Sequence, residues 1–350
     1  AALRSPLPPP SLLPPLPTTP TGAAAATTAV AATASLPPPP TWEDIDVHDE
    51  NDPQCCTQYV DDIFHHLRLK EAATTIKSNY MEMQADVNGK MRTILVDWMV
   101  DVQIKFKLLT ETLCLSVNLV DQYLSSQQVD RRKLQLVGVV AMLIASKCEE
   151  YYAPEVSDFV FICDRCYGKQ EILQAEMKFF SVLGWNCVTE PTSLSFLRRF
   201  SKAAHSDARI HTLCKYIIEA ALIDYQLLQY RPSTTAAAAV YVARAMCGVS
   251  PRWNATLEHY THHTEQQLRP AAAALNKLLR HRTSTPYKAV HRKYSSTRLL
   301  EVALIPTVPT LFDSDASTAS TAAATGGSHA AAAAAAPAFA TAAAAAAAVA

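Results

Sequence analysis

The sequence predicts an all-α protein, and three observations support that class. Helix-forming residues dominate from Tyr59 to Leu279. No hairpin turn lies between alternating apolar runs, since the one Asn-Gly pair precedes a helical pattern. Glycine is rare, with 8 in 350 residues, and the helical pattern is interrupted at a few turn-forming pairs: Asn88-Gly89, Ala153-Pro154, Glu190-Pro191, Arg231-Pro232 and Ser250-Pro251.

The first half of this region predicts five helices. Thr110-Glu111 is typical of a helix start and marks the second of them. Residues 131–147 are apolar on nearly every side, which indicates a helix buried at the centre of a bundle. The predicted helices span residues 91–105, 110–124, 131–147, 156–161 and 169–183.

A second set of helices follows with similar spacing. Its alanine-rich run, 235–246, lies about 98 residues after the run 137–147 of the first set, which indicates a duplicated five-helix unit. A single irregular helical domain is the alternative that spacing alone leaves open. The second set is predicted at residues 193–202, 210–222 and 233–246, in a short piece near Ala255, and at 265–280.

The two ends of the chain differ from its middle. Residues 1–42 contain 12 of the 22 prolines and a single charged residue, Arg4, while the chain after Asp315 has no charged residue and runs out in alanine. Neither end has enough large apolar side chains to offset the entropy lost on ordering. We therefore expect disordered tails at residues 1–42 and 311–350.

Charge and cysteine content exclude several classes. Residues 43–310 contain 30 basic and 30 acidic side chains, and this neutrality argues against a nucleic-acid-binding surface. The 9 cysteines are scattered through apolar stretches without a preceding signal peptide, which favours a reducing compartment. The longest apolar run, 134–145, is too short to cross a bilayer. We expect a soluble protein of the nucleus and cytoplasm, without a membrane partner.

Several motifs together resemble the cyclin family. Residues 91–98, Met-Arg-Thr-Ile-Leu-Val-Asp-Trp, resemble its signature in the first helix of the cyclin box. Residues 133–138, residues 145–150 and Pro154-Glu155 resemble its third helix and the loop that follows. The resemblance covers about residues 59–303. Within the family, the B-type members are the most similar, on three segments: 102–107, 176–178 and 196–202.

The resemblance implies two tandem five-helix cyclin boxes, at 91–188 and 189–283. An N-terminal segment with a helix precedes them at 43–90, and a C-terminal helix or extension follows at 284–310. It also implies the function of a non-catalytic regulatory subunit, without cofactor or metal. Such a subunit forms a heterodimer with a cyclin-dependent Ser/Thr kinase, activates it, recruits substrates and controls the G2/M transition. An A-type (S/G2) or a transcription-type cyclin is the alternative.

By resemblance, Lys147 and Glu176 bind the backbone around the mobile helix αC of the kinase. A lysine only donates hydrogen bonds and an ionised glutamate only accepts them, so together they satisfy both kinds of backbone group. Without the family, each would be interpreted as a solvated surface charge. The further kinase-binding residues that the resemblance implies are Tyr59, Ile63, Cys148, Phe180 and Trp185, with Cys148 where many relatives have an aromatic residue.

A stripe on the first helix carries the second predicted site. Met91, Ile94, Leu95 and Trp98 share one helix face, which on its own would indicate a core-facing stripe. In the family this stripe, together with Gln135, forms a groove that docks substrates or inhibitors carrying an Arg-x-Leu motif. By the same resemblance Asp101 meets the arginine of that motif.

A structural ion pair is also expected. Arg92 and Asp121 each interrupt an apolar helix face, and a buried charge is costly unless it is paired. The bare pattern favours two separate surface charges. The resemblance implies instead an internal salt bridge between the first two helices of the box.

The remaining signals are weaker. The pair Cys163 and Cys166 lacks the further ligands that zinc requires, and His259, His262 and His263 are interpreted as solvated. The basic stretch 287–296 resembles the closing helix of B-type cyclins, although it could also be a patch for an acidic partner.

Arg4-Ser-Pro-Leu7 contains only the Arg-x-x-Leu core of a destruction box, so ubiquitin ligase machinery is an expected partner on family grounds alone. Two other classes of helical protein do not fit the sequence. A helical transcription factor would need a basic surface, and a metal-dependent helical enzyme would need convergent Glu-x-x-His motifs, which the sequence lacks.

Overall fold

The computed structural model describes residues 41–73, 76–282 and 284–312. These residues form twelve α-helices and several short 3-10 turns, and no β-strand is found among them. The predicted all-α class is confirmed. The six helices of the first half are α1 Val60–Ala72, α2 Gly89–Phe106, α3 Thr110–Ser126, α4 Leu134–Glu149, α5 Val156–Ile162 and α6 Lys169–Leu183.

Local sequence explains where the helices of the first half begin. The side chain of Asn88 accepts a hydrogen bond from the Met91 amide and caps α2, so the Asn-Gly pair is a helix start. Residues Arg131–Lys133, predicted as the first turn of the central helix, form a separate 3-10 turn capped by Asp130. The central helix α4 therefore begins at Leu134.

The second half repeats this organisation. Pro232 lies at the first position of α9, where its missing amide hydrogen costs nothing. Thr264 and Gln267 form a reciprocal capping box at the start of α11. The helices are α7 Ser193–Ala203, α8 Ala208–Ile223, α9 Pro232–Met246, α10 Ala255–Thr261, α11 Glu265–His281 and α12 Ala289–Tyr294.

Two five-helix bundles follow each other in the chain. Helix α4 packs against α2, α3, α5 and α6, and helix α9 packs against α7, α8 and α11. Both α8 and α9 begin 98 residues after their counterparts α3 and α4. The predicted duplication is confirmed, and the single irregular domain is set aside.

The middle of the central helix of the first bundle is enclosed by its neighbours. Every residue of α4 from 136 to 146 is buried. A side chain at Gly138 would place its Cβ 2.7 Å from Leu95 Cδ1. Glycine at this position therefore permits the close approach of α2 to α4.

A buried ion pair joins the first two helices of this bundle. Arg92 Nε lies 2.7 Å from Asp121 Oδ1, and both side chains are almost completely buried. The Tyr80 hydroxyl donates to the same carboxylate, and Arg92 Nη1 donates to the Leu222 carbonyl at the end of α8. Because every charge is paired and hydrogen-bonded, the pair is compatible with the core and also connects the two bundles.

Segments at both ends of the described chain pack on the bundles. Trp42 stacks on His259 at 3.8 Å, and the Asp46 carboxylate accepts two hydrogen bonds from Arg199 of α7. Phe312 stacks on Tyr241 of α9. These residues belong to the folded body, so the inner edges of the expected tails are ordered. The rest of both expected tails, including Arg4 and Leu7, lies outside the described residues.

The described residues contain no helix that combines the length and the apolar character needed to cross a membrane. All nine cysteines are free thiols, four of them buried as small apolar side chains: Cys114, Cys163, Cys187 and Cys214.

Candidate functional site

The carboxyl end of α4 and the middle of α6 bring Lys147 and Glu176 together. Lys147 Nζ lies 2.7 Å from Glu176 Oε1. The lysine side chain is 48% exposed, whereas the glutamate side chain is 12% exposed. In the part of the chain that the structure describes, this contact is the only hydrogen bond of either side chain. The lysine thus keeps N–H groups, and the carboxylate keeps an oxygen, for a partner at the surface.

Aromatic side chains flank this pair on the α6 side. Phe180 and Trp185 stack at 4.3 Å between ring centroids, and Trp185 is 71% exposed. A large exposed aromatic group beside a charged pair is typical of an interface anchor. The arrangement offers a central polar contact with apolar area next to it.

Helix α1 contributes more exposed apolar side chains. Lys70 donates a 2.7 Å hydrogen bond to the Thr189 hydroxyl, which holds the end of α1 against the turn that contains Trp185. Tyr59 and Ile63 are exposed near the opposite end of α1 and lie one helical turn apart. The structure therefore brings α1 to the same flank as the Trp185 turn, with Tyr59 and Ile63 at its far end.

Sequence reasoning missed three exposed apolar residues near the pair. Tyr151 and Tyr152 follow α4 directly and are 90% and 86% exposed, and Met177, next to Glu176, is also exposed. The sequence signal that could have identified them is a pair of consecutive tyrosines just after the end of a buried helix. Cys148 is exposed as well, and desolvation together with the nearby Glu149 raises the pKa of its thiol. The thiol is therefore neutral at pH 7 and offers an apolar contact.

The predicted docking stripe lies mostly below the surface. Leu95 is completely buried against Gly138 and packs in the core, and its part in a docking groove stays a prediction. Met91 and Trp98 are also buried, while Ile94 and Gln135 are half-buried. The bundle needs the apolar face of α2 for its own packing, and only the edge of the stripe reaches solvent.

Helix α12 covers the polar edge of α2. Arg292 forms an ion pair with Asp101, and the Ala289 amide donates a 3.0 Å hydrogen bond to Asp97. Burial raises the pKa of Asp97 to about 6, against the lowering effect of that hydrogen bond. One oxygen of the Asp101 carboxylate already binds a guanidinium group from its own chain, so an incoming arginine would share the carboxylate with Arg292 or displace it.

Comparisons with known proteins agree with this architecture. The family model described as "Cyclin, N-terminal domain" matches residues 62–188, and the model "Cyclin, C-terminal domain" matches residues 191–308. The chain belongs to the cyclin family. Lys147, Glu176 and the α2 stripe all lie in the N-terminal cyclin domain.

The relatives of this chain include B-type cyclins. The G2/mitotic-specific cyclin-B of Dictyostelium discoideum is 45% identical over 267 residues, which cover 76% of this chain and 61% of that protein. The G2/mitotic-specific cyclin-B of Hydra vulgaris is 44% identical over 75% of this chain and 72% of its own length. Over the matched residues, this chain is therefore similar to G2/mitotic-specific B-type cyclins.

A solved structure supports the fold alone. The viral cyclin from herpesvirus saimiri superimposes with a TM-score of 0.56 at 22% identity, over 62% of this chain and 96% of the viral chain. Two tandem cyclin domains are therefore the architecture of the described residues. This chain spans about three fifths of the length of the Dictyostelium relative.

The histidines, the Cys163 and Cys166 pair and the basic stretch of this cyclin have packing contacts or burial that a structural role explains. His259 stacks on Trp42, and burial lowers the pKa of His263 to about 4, so His263 is neutral at pH 7. Cys163 is buried and Cys166 is exposed at the end of α5. Part of the basic stretch 287–296 forms α12, which packs on α2 and α8 as a closing helix does.

Proposed function

We propose that this cyclin is a non-catalytic subunit that binds and activates a cyclin-dependent Ser/Thr kinase through the surface around Lys147 and Glu176. Members of the cyclin family are kinase regulatory subunits, which supports the class of partner. The observation that carries the assignment is the 2.7 Å contact between the half-exposed Lys147 and the largely buried Glu176, whose side chain is 12% exposed. One donates and the other accepts, so the pair suits the polar backbone at a helix end.

The mechanism is a population shift. A kinase of this class without its cyclin holds helix αC rotated outwards, so its glutamate cannot reach the lysine that positions the ATP phosphates. A subunit that binds the rotated-in form more tightly shifts the equilibrium by its difference in affinity for the two forms. Moving the population from 1:99 to 99:1 requires about 5.5 kcal/mol.

Apolar contact area supplies much of that energy. An interface of about 1,600 Å² is standard for a stable complex, and a few buried aromatic residues account for most of its binding energy. Trp185, Tyr151 and Tyr152 are the most exposed large apolar side chains of the described residues and lie on the segments that carry the pair or follow it. In this proposal they become buried against the kinase.

The test compares two ion pairs on the same two segments. In the double variant Lys147→Ala with Glu176→Ala, charge-assisted contacts worth about 1.5–3 kcal/mol each are lost. We expect kinase activity towards histone to fall at least about 100-fold. The matched control is Lys133→Ala with Glu171→Ala, which removes an exposed ion pair between the start of α4 and α6. The control should activate the kinase normally.

A charge exchange sharpens this test. Lys147→Glu with Glu176→Lys keeps an ion pair but reverses which end donates and which end accepts. Its thermal unfolding should stay close to that of the parent protein, because the largely buried position 176 still has an oppositely charged partner. Full kinase activation by either Lys147 variant would refute the assignment.

Substrate docking is the second part of the proposal. The half-buried Ile94 and Gln135, with the outer edges of Met91 and Trp98, remain as a shallow groove for Arg-x-Leu segments of substrates or inhibitors. The proposal includes a nuclear and cytoplasmic location and turnover by ubiquitin ligase machinery. The B-type relatives favour this assignment over an A-type or a transcription-type cyclin.

A further inference from the structure

The loop between α11 and α12 carries a motif that kinase activation does not use. Residues 280–300 contain six lysines and arginines, two histidines and no acidic residue. Within them, Thr285-Pro286-Tyr287-Lys288 places a proline directly after a hydroxyl and a lysine two residues further on. Proline-directed Ser/Thr kinases accept this pattern. Between residues 41 and 312 the other Ser/Thr-Pro pair, Ser250-Pro251, has Trp253 in place of the lysine.

The phosphoacceptor group lies at the surface of the fold. Thr285 is half-buried, while Pro286 and Lys288 on its carboxyl side are exposed. The Thr285 hydroxyl donates to the carbonyl oxygens of Arg282 and Tyr287 at 3.3 Å each. Both hydrogen bonds are longer than is usual for a hydroxyl donor and lie within one loop, so the Thr285 hydroxyl is held only weakly in this position.

Two nitrogen atoms without a hydrogen-bond partner lie on side chains three residues before and six residues after this threonine. Arg282 Nη1 and His291 Nδ1 are both buried without a hydrogen-bond partner among the described residues. Burial lowers the pKa of His291, and the positive charges of Arg282 and Lys288 lower it further. Arg282 Nη2 donates to the Ile305 carbonyl oxygen and the guanidinium lies over the Tyr216 ring, while Lys288 is exposed, so Arg282 Nη1 and His291 Nδ1 are the atoms that an added anion would satisfy.

We propose that Thr285 is phosphorylated by a proline-directed kinase and that Arg282, Lys288 and His291 bind the resulting phosphate. The Thr285 oxygen attacks the γ-phosphorus of ATP and forms a new P–O bond. The bond between the γ-phosphorus and the β–γ bridging oxygen breaks, ADP leaves, and the hydroxyl proton passes to the aspartate base of the modifying kinase. The phosphate adds about 1.5–2 negative charges at pH 7 and supplies three acceptor oxygens to the unused donors.

The expected consequence is a firmer attachment of α12. Arg282 follows the last residue of α11, Lys288 precedes the first residue of α12 and His291 lies within α12, so a shared phosphate connects the two helices. Helix α12 in turn packs against both cyclin domains, on α2 and α8. Phosphorylation at this loop therefore strengthens the junction between the domains.

The first test is phosphate mapping on the folded full chain. The chain is incubated with a purified proline-directed kinase and Mg-ATP, and the phosphorylated residues are located by mass spectrometry. We expect phosphate on Thr285, its retention in Thr285→Ser, and its loss in Thr285→Ala and in Pro286→Ala. Ser250→Ala is the matched control and should leave the Thr285 signal unchanged. Modification of a free 280–292 peptide without modification of the folded chain would overturn the proposal.

The second test asks where the phosphate binds. On phosphorylation, the ring resonances of His291 should titrate at a higher pH in NMR spectra, and thermal unfolding should shift to a higher temperature. Arg282→Gln with His291→Gln should still be phosphorylated but should lose the thermal gain. An unchanged His291 titration, or an equal thermal gain in that variant, would show that these residues do not bind the phosphate.

Discussion

The two cyclin domains share a buried ion pair and differ in a second ion pair at the surface. Asp121 is the twelfth residue of α3, and Glu219 is the twelfth residue of α8. Both are buried carboxylates that accept a hydrogen bond from a tyrosine hydroxyl, Tyr80 in the first domain and Tyr294 in the second. Each also has a cationic partner, Arg92 from within the first domain and Lys293 from helix α12.

The difference lies at the surface. Lys147 is the fourteenth residue of α4 and Glu176 the eighth of α6, and the same positions of α9 and α11 hold Ala245 and Ala272. Ala272 is completely buried. The duplicated bundle therefore keeps its internal ion pair in both copies, while the pair proposed to bind a partner exists in one. The fold by itself thus does not make the site.

The largest expected loss of stability follows from breaking the buried ion pair that both domains share. Arg92→Ala leaves Asp121 buried with only the Tyr80 hydroxyl, and an unpaired buried charge costs about 3–5 kcal/mol. We expect thermal unfolding to move down by about 6–20 °C. Lys293→Ala should cost less, because Lys293 is 12% exposed and water can reach the vacated position.

A surface pair provides the reference for that comparison. Arg131→Ala removes an exposed partner of Asp86, and such pairs contribute about 0–1 kcal/mol. If Arg92→Ala unfolds at the same temperature as Arg131→Ala, the internal pair is not what holds the first domain together.

The next largest effect concerns the outer face of α2, which differs from the outer face of its counterpart α7. Asp46 of the N-terminal segment pairs with Arg199 and Lys202 of α7, whereas the edge of the α2 stripe carries Ile94. We expect Ile94→Ser with Gln135→Ala to raise the KM for Arg-x-Leu substrates about tenfold, for a loss of about 1.4 kcal/mol. Activity towards a short peptide without the motif should not change. An equal loss of kinase activity towards the Arg-x-Leu substrates and the short peptide would show that these residues act in kinase activation instead.

The smallest effect concerns the junction between α2 and α12. The folded protein raises the pKa of Asp97 from 3.8 to about 6, mainly through burial. Because the pKa of Asp97 is higher in the folded protein, the folded state binds this proton more tightly than the unfolded chain, and protonation of Asp97 stabilises the fold. That contribution is fully present below about pH 4 and is lost as the pH rises through about 6.

Asp97→Asn tests this junction because an asparagine oxygen can still accept from the Ala289 amide. Urea unfolding at pH 4.5 and pH 7 should show that the variant gains stability relative to the parent protein as the pH rises. The gain is small, since Asp97 is partly solvated. A difference between the two proteins that is independent of pH would contradict the proposed cause.

Helix positions were predicted well from the sequence, and the reason is local. Helix α6 was predicted at 169–183 and is observed at Lys169–Leu183, because its boundaries follow from a preceding glycine and a following one. The start of the central helix was predicted three residues early, since Arg131–Lys133 form a 3-10 turn. The competition between two helical conformations at a helix start depends on packing, which periodicity does not report.

The candidate site was predictable to a lesser degree. Lys147 and Glu176 were named on family resemblance, and only the packing of α4 against α6 brings their side chains into contact. Leu95 was expected in the docking groove but is buried against Gly138. Apolar spacing identifies a helix face without revealing whether that face meets the core or the solvent. Tyr151 and Tyr152 were missed because exposure is not a property of sequence.

Sequence alone determined the all-α class, the duplicated bundle and the family, because these depend on residue periodicity and on motifs contiguous in the chain. Tertiary structure alone decided which apolar stripe is buried and which charged side chains meet. It also decided that α12 provides the second domain with the cation for Glu219. Contacts between residues 74 positions apart depend on how helices pack, and the order of residues along the chain does not encode that packing in any local pattern.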